Sequence, residues 1–230
     1  NSINDFKMIK LQSSAAPTAS YGPPSCLGLV NGDLLMAYSS TETGGNNGIM
    51  VKRMKADEST FSAGTLAFNA LNYLGTGTAS FPAMVQLPDE SVLLIHWINY
   101  TSTVSANLSN LYVHRSTDNG INWSLVSTGA LDVDVDTSTY TLGKILVEYY
   151  NNQLLLIGDV TKTGALRGDI ILQAASIDEG TSFQTVGNLD ENYYCFKPDL
   201  SVTKNGFMLT YITSNDDAAS SDGDGQSFLF

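Results

Sequence analysis

The stretch HRSTDNGINWS, residues 114–124, decides how this chain folds. Within one short turn it sets a hydroxyl at Ser116, a carboxylate at Asp118, a glycine at Gly120 and an indole at Trp123. An aspartate so placed accepts hydrogen bonds from the backbone N–H groups around it. Glycine permits positive φ, and the tryptophan buries a large ring between sheets. Each residue has a structural task, so the stretch reads as scaffold and not as a catalytic loop.

The pattern returns in SIDEGTSF, with Ser176, Asp178, Gly180 and Phe183. A third copy, MKADESTF, keeps the flanking Arg53 and the aromatic Phe61 but has lost the serine, aspartate and glycine. Ahead of each copy stands a strand, a tight turn and a strand, in LVNGDLLMAY, VQLPDESVLLIHW and VEYYNNQLLLIG, and VTKNGFMLTYI adds a fourth pair. The second strands begin near Leu34, Val92, Leu154 and Met208, at intervals of about sixty residues. Phe61, Trp123 and Phe183 keep the same interval. The amino-terminal SINDFKMIK matches the tail of the unit and sets Phe6 one repeat upstream.

With the strands of a unit called A to D, the chain reads D, ABCD, ABCD, ABCD, ABC. Repeated around an axis, such units form an all-β propeller of four-stranded antiparallel blades, three complete and one split between the termini. A four-blade ring and a fragment of a larger ring, for example of six blades, both fit. Residues 1–230 are in either case one propeller domain or propeller fragment.

Composition narrows the partners. The net charge of −12, with arginine only at Arg53, Arg115 and Arg167, argues against nucleic acid, which needs clustered cations. No apolar run approaches the roughly 20 residues that span a bilayer, so membrane insertion is not expected. The chain begins at Asn1 and not at a Met, and its start NSINDFKMIK carries no signal-like segment, which suggests processing or trimming. Sequons begin at Asn99, Asn107 and Asn122, but a chain so rich in Ser, Thr and Asn produces them by chance.

The run Ser116, Asp118, Gly120, Trp123 resembles the Asp-box, or bacterial neuraminidase repeat, of sialidase-like β-propellers, and the resemblance extends over essentially the whole chain. It implies that the boxes join strands C and D on the face opposite the ligand site. Ligands would then meet the starts of the A strands and the B–C loops. Those A-strand starts hold Tyr21, Pro24, Phe81, Tyr140, Lys144, Phe196 and Lys197, while Trp97, Asn99, Tyr100, Asp159, Arg167 and Asp216 fall in or beside the B–C loops. Aromatic faces stack on sugars while amides and carboxylates bind hydroxyls, so the expected ligand is a glycan or glycoconjugate. Trp97 and Tyr100 lead that list; His96 reads as a structural residue of its strand.

Sialidases hold their anionic sugar with three arginines and use a tyrosine nucleophile assisted by glutamate, with an aspartate as acid/base. Here Arg53 and Arg115 fall beside the boxes, leaving Arg167 for the ligand face. CFKPDL approaches the family's aromatic-Arg-Ile-Pro signature only in Phe196, Lys197 and Pro198, and lysine lacks the bidentate fork that reads a carboxylate. Glu148 and Tyr149 form a tempting pair but read as A–B turn residues with a structural role. The sequence therefore favours recognition or adhesion without turnover, in an extracellular, cell-surface or virion-associated setting. A fragment of a glycoside hydrolase of sialidase-like type, and an architectural propeller that binds other protein subunits as in a virion tail, remain alternatives.

No metal site is assigned. Asp132, Asp134 and Asp136 alternate along a strand or link, and Asp216, Asp217, Asp222 and Asp224 lie in a second acidic stretch. Calcium is conceivable at either, but both read as solvated carboxylates. Cys26 and Cys195 stand near A-strand starts, which leaves their pairing open.

Overall fold

The computed structural model describes residues 20–41, 47–69, 78–100, 108–132, 135–136, 140–162, 169–189, 194–214 and 224–229. No helix occurs among them. The first blade holds β1 (Ser20–Tyr21) and β2 (Ser25–Gly28) in the A position, then β3 (Leu34–Thr41), β4 (Asn47–Met54) and β5 (Thr65–Asn69). The second holds β6 (Thr78–Gln86), β7 (Val92–Tyr100), β8 (Leu108–Ser116) and β9 (Ser124–Thr128), with β10 (Val135–Asp136) extending the outer edge along β8. The third is β11 (Tyr140–Tyr150), β12 (Gln153–Lys162), β13 (Asp169–Ser176) and β14 (Gln184–Leu189). The fourth contributes β15 (Tyr194–Thr203), β16 (Gly206–Ser214) and β17 (Asp224–Leu229). Every pairing within the blades is antiparallel, so the chain is an all-β propeller of ABCD blades, as its repeat implies. The strand expected around Phe6 lies outside the described residues.

The B strands explain why this sequence runs apolar where a half-exposed sheet would alternate. From Val92 to Ile98 every residue of β7 is buried. Leu93, Ile95 and Trp97 enter the core shared with the third blade, while Val92, Leu94 and Ile98 enter the one shared with the first. β12 repeats the division, with Leu154 and Leu156 toward the second blade and Leu155 and Ile157 toward the fourth. Each such side chain contributes roughly 1.5–3 kcal/mol by leaving water. The propeller is therefore stabilised mainly between its blades.

The Ser-x-Asp-x-Gly turns form as their chemistry dictates. Gly120 N–H donates to Ser116 Oγ at 2.8 Å, Ser116 Oγ–H donates to Asp118 Oδ1 at 2.8 Å, and Asp118 Oδ1 accepts from Asn122 N–H at 2.8 Å. The second turn repeats this through Ser176, Asp178, Gly180 and Ser182. Burial raises the Asp118 and Asp178 carboxyls, but their hydrogen bonds outweigh it and hold both below the usual range. Phe183 is fully buried and its N–H donates to Ala130 O at 2.6 Å, tying the third blade to the second. In the first blade, which lacks the box residues, Asp33 of the A–B turn takes over: it accepts from Ala56 N–H at 3.0 Å and from Arg53 Nε at 2.8 Å.

The A–B turns share this end of the molecule. Arg115 donates to Asp89 of its own blade and to Glu179 of the next blade's turn. Asn151 and Asn152, at φ 49° and 62°, close a two-residue hairpin of the type that matches strand twist. β11 therefore runs on to Tyr150, and Glu148 pairs with Leu155 inside the strand instead of lying in the turn.

Candidate functional site at the inner strands

Toward the opposite end, each inner strand carries one extra residue at a similar level, the third blade's lying one residue farther from its A–B turn. Ser80 faces Trp97 and Ala83 faces Ile95, so two residues of β6 oppose His96 alone. Between Leu142 and Ile145 the same slip occurs opposite Asp159, and between Phe196 and Asp199 opposite Tyr211. In the first blade residues 22–24 oppose 38–39, between Tyr21↔Ser40 and Ser25↔Ala37. Proline, which has no N–H for the ladder, recurs at this level as Pro24, Pro82 and Pro198, with Lys144 at the matching place in the third blade. Such bulges bend a strand and re-aim side chains. Phe81 shows the local cost, held at φ 51°, a conformation bulky residues avoid.

Below this level a cavity of about 400 Å³ opens between the inner strands of the first three blades. Pro24, Cys26, Phe81, Lys144 and Glu148 line it. Burial raises the Glu148 carboxyl above the usual range, and the carboxylate of Asp199 on the fourth blade's inner strand raises it further. Glu148 therefore keeps its proton to higher pH than an ordinary glutamate, in a cavity that also carries the Lys144 amine. Partial burial likewise raises the thiol of Cys26, which forms no disulfide here. A larger groove of about 510 Å³ lies at the turn end, lined by Arg53, Phe61 and Ile121, where the first blade lacks box residues. The cavity at the inner strands is the better candidate, because titratable groups from separate blades converge there.

The expected site residues are distributed as follows. Trp97 requires correction: its side chain has no exposure, lies in the core between the second and third blades, and offers no face to a sugar. Asn99 lies two residues further along β7, partly buried, and its Oδ1 has no hydrogen-bond partner among the described residues. Tyr140 packs against the same core as Trp97. Asp159 lies on β12 opposite the third bulge. Tyr21 belongs to β1, Tyr100 ends β7, and Phe196 and Lys197 belong to β15. Arg167 and Asp216 lie outside the described residues, as do Asp134, Asp217 and Asp222. Of the inner-strand starts weighed from the sequence, Pro24, Phe81 and Lys144 line the cavity. Glu148, read as a turn residue, lines it with them; the signal for this level was the recurrent proline.

His96 is buried in the layer between the first and second blades, stacked on His114. Arg53 and Arg115 are engaged at the turn end by Asp33 and by Asp89 with Glu179. Among the described residues no three His, Cys, Asp or Glu gather to hold a metal. Asp132 accepts instead from the Thr185 hydroxyl at 2.6 Å.

No family model and no curated protein matches the sequence. Solved structures do match the fold. An α-L-arabinanase of Penicillium chrysogenum complexed with arabinobiose superposes with TM-score 0.61 at 15% identity, over 93% of this chain and 67% of that one. The GH93 α-L-arabinofuranosidase of Fusarium graminearum, also with arabinobiose, gives 0.60 at 14%, over 89% and 60%. A Hadza microbial sialidase, Hz136, gives 0.60 at 14%, over 87% and 45%. This chain thus spans about half to two thirds of the length of these propellers.

Proposed function

We propose that this chain is the carbohydrate-recognising part of a propeller of the glycoside-hydrolase type, with its ligand bound at the inner-strand end. The observation that carries this reading is the bulge shared by all four inner strands, beneath which Phe81, Lys144 and Glu148 line one cavity. An aromatic face, an ammonium donor and a carboxyl suit a saccharide's C–H face and hydroxyls. The Ser-x-Asp-x-Gly turns, read as Asp boxes, leave the other end to structure. Solved propellers of like fold carry arabinobiose, which supports a neutral pentose oligosaccharide over an anionic sugar for a chain of net charge −12.

A second reading, hydrolysis, is favoured by one observation: the raised carboxyl of Glu148 beside Asp199. Glycoside cleavage uses two carboxyl groups that flank the scissile bond, one of them as the acid. Titration calorimetry with arabino-oligosaccharides and sialyllactose, together with product analysis, tests both readings. The expected result is saturable binding of a neutral oligosaccharide, weakened about tenfold or more by Lys144→Ala at unchanged melting temperature. Product release abolished by Glu148→Gln, with binding kept, would add the hydrolase reading. Binding of none of these sugars by the unmodified chain would defeat the proposal.

A further inference from the structure

The joint between the first and second blades is built differently from the one that follows it. Between the second and third blades the main chains bond directly: Phe183 N–H donates to Ala130 O at 2.6 Å, and Asp132 N–H donates to Phe183 O at 3.0 Å. Among the described residues no main-chain bond crosses from the first blade to the second. There Val30 N–H donates to the Gln86 side chain at 2.9 Å, and an apolar layer that includes Leu35, Ile49, Phe68, Leu94 and Ile98 fills the joint. Into this layer the second blade brings two imidazoles. His96 and His114 are 0% and 3% exposed and lie 5.3 Å apart in parallel planes, with Phe68 of the first blade 4.8 Å and 5.1 Å from them. Nδ1 of His96 lies 3.3 Å from Trp97 O, while Nε2 of each ring has no hydrogen-bond partner among the described residues. Stacked rings do not aim their N–H groups at one another, so the pair cannot share one proton.

No carboxylate faces the pair from the strands packed around it. Besides the histidines, the charged side chains on the strands of these two blades are Lys52, Arg53, Arg115 and Asp136. Arg53 is held by Asp33 and Arg115 by Asp89 and Glu179 at the turn end, Lys52 lies over the Tyr38 ring, and Asp136 belongs to β10 at the outer edge. The ionisable group packed beside the imidazoles is Tyr112, 6.1 Å from His96. We infer that this joint is an acid-sensitive latch: protonation of the stacked imidazoles parts the first blade from the second and takes away one wall of the inner-strand cavity. Pro24 and Cys26 of the first blade line that cavity together with Phe81 of the second and Lys144 and Glu148 of the third, so it is complete only while the joint is closed. Burial, joined at His96 by the charge of His114, holds the closed pair at about 3 for His96 and about 4 for His114. Exposed imidazoles titrate near 6.5, so opening takes up protons and is favoured below about pH 6.5, on the order of 25-fold per histidine between pH 7 and 5. The main-chain bonds of the next joint confine the opening to the first blade. The consequence for a ligand rests on the saccharide reading above: bound sugar leaves as the wall parts.

Hydrogen exchange of the 230-residue chain, followed strand by strand at pH 7 and pH 5 in low urea, tests the latch without any ligand. After correction for intrinsic rate, protection in β3, β4 and β5 should fall about tenfold or more at pH 5. These strands should also exchange ahead of β11, β12 and β13, with the weaker urea dependence of a partial opening. First-blade protection that does not change with pH overturns the inference. So does exchange of both sets together at pH 5 with one urea dependence, because acid would then unfold the whole chain. The His96→Phe, His114→Phe double variant is expected to lose the pH dependence, but the unmodified chain decides alone. Calorimetry with an arabino-oligosaccharide keeps the two readings apart: a first blade that opens at pH 5 in a chain that binds no sugar at pH 7 supports the latch and defeats only the saccharide reading.

Discussion

Gly180 of the third blade rests on Leu93 of the second, so closely that a Cβ there would meet Leu93 Cδ1 at 3.2 Å. The contact repeats one blade earlier between Gly120 and Leu35, so the glycine of each turn serves both the turn's own conformation and the joint with the blade before it. Gly180→Ala should accordingly cost about 1–3 kcal/mol, combining positive-φ strain with a small displacement of Leu93. Urea unfolding measures this; an unchanged midpoint would mean that the joint is loose.

The stacked imidazoles should make stability depend on pH. His96 and His114 lie 5.3 Å apart and 1° from parallel, with Phe68 packed 4.8 Å from His96. Burial, joined by the charge of His114, holds His96 down to about 3, and burial holds His114 to about 4. Both titrate near 6.5 in the unfolded chain, which therefore takes up protons that the folded chain refuses. Their contribution is intact above about pH 6.5 and is lost as pH falls toward 4, reaching about 2 kcal/mol per histidine at pH 5. The turn aspartates, with lowered carboxyls, act only below about pH 4. Urea midpoints should fall between pH 7 and 5 in the unmodified chain and stay level in the His96→Phe, His114→Phe double variant.

Arg115 invites overestimation. Its partners Asp89 and Glu179 are 56% and 59% exposed, so solvent screens both pairs. Glu179→Gln is expected to cost less than about 1 kcal/mol, and the difference should vanish in 1 M salt. A larger, salt-resistant loss would show that this bridge, and not the glycine contact, joins the blades.

Trp97 separates stability from binding. Its truncation to alanine should destabilise the chain by about 3–5 kcal/mol through the void left between the second and third blades. Trp97→Phe, at a temperature where it remains folded, should bind saccharide as the unmodified chain does. Selective loss of binding in that variant would restore Trp97 to the ligand site.

Period and turn chemistry made the blades legible, because a strand buried on both faces is apolar throughout and the turn residues recur with the blades. The same double burial misled the reading of Trp97: in a central B strand an aromatic ring has a blade on either side, so it packs even near the strand's end. The bulges were harder to see. A one-residue slip leaves hydrophobic patterning intact, and only Pro24, Pro82 and Pro198 marked its level. Glu148 was hidden by a turn length, since the tight Asn151–Asn152 hairpin keeps it in the strand where a longer turn would have released it.

A crystal structure of the chain with a bound arabino-oligosaccharide tests the central claim most directly. The sugar is expected in the cavity at the inner-strand bulges, against Phe81 and within hydrogen-bond reach of Lys144 and Glu148. Sugar bound at the turn end, beside Phe61 and Ile121, would contradict it.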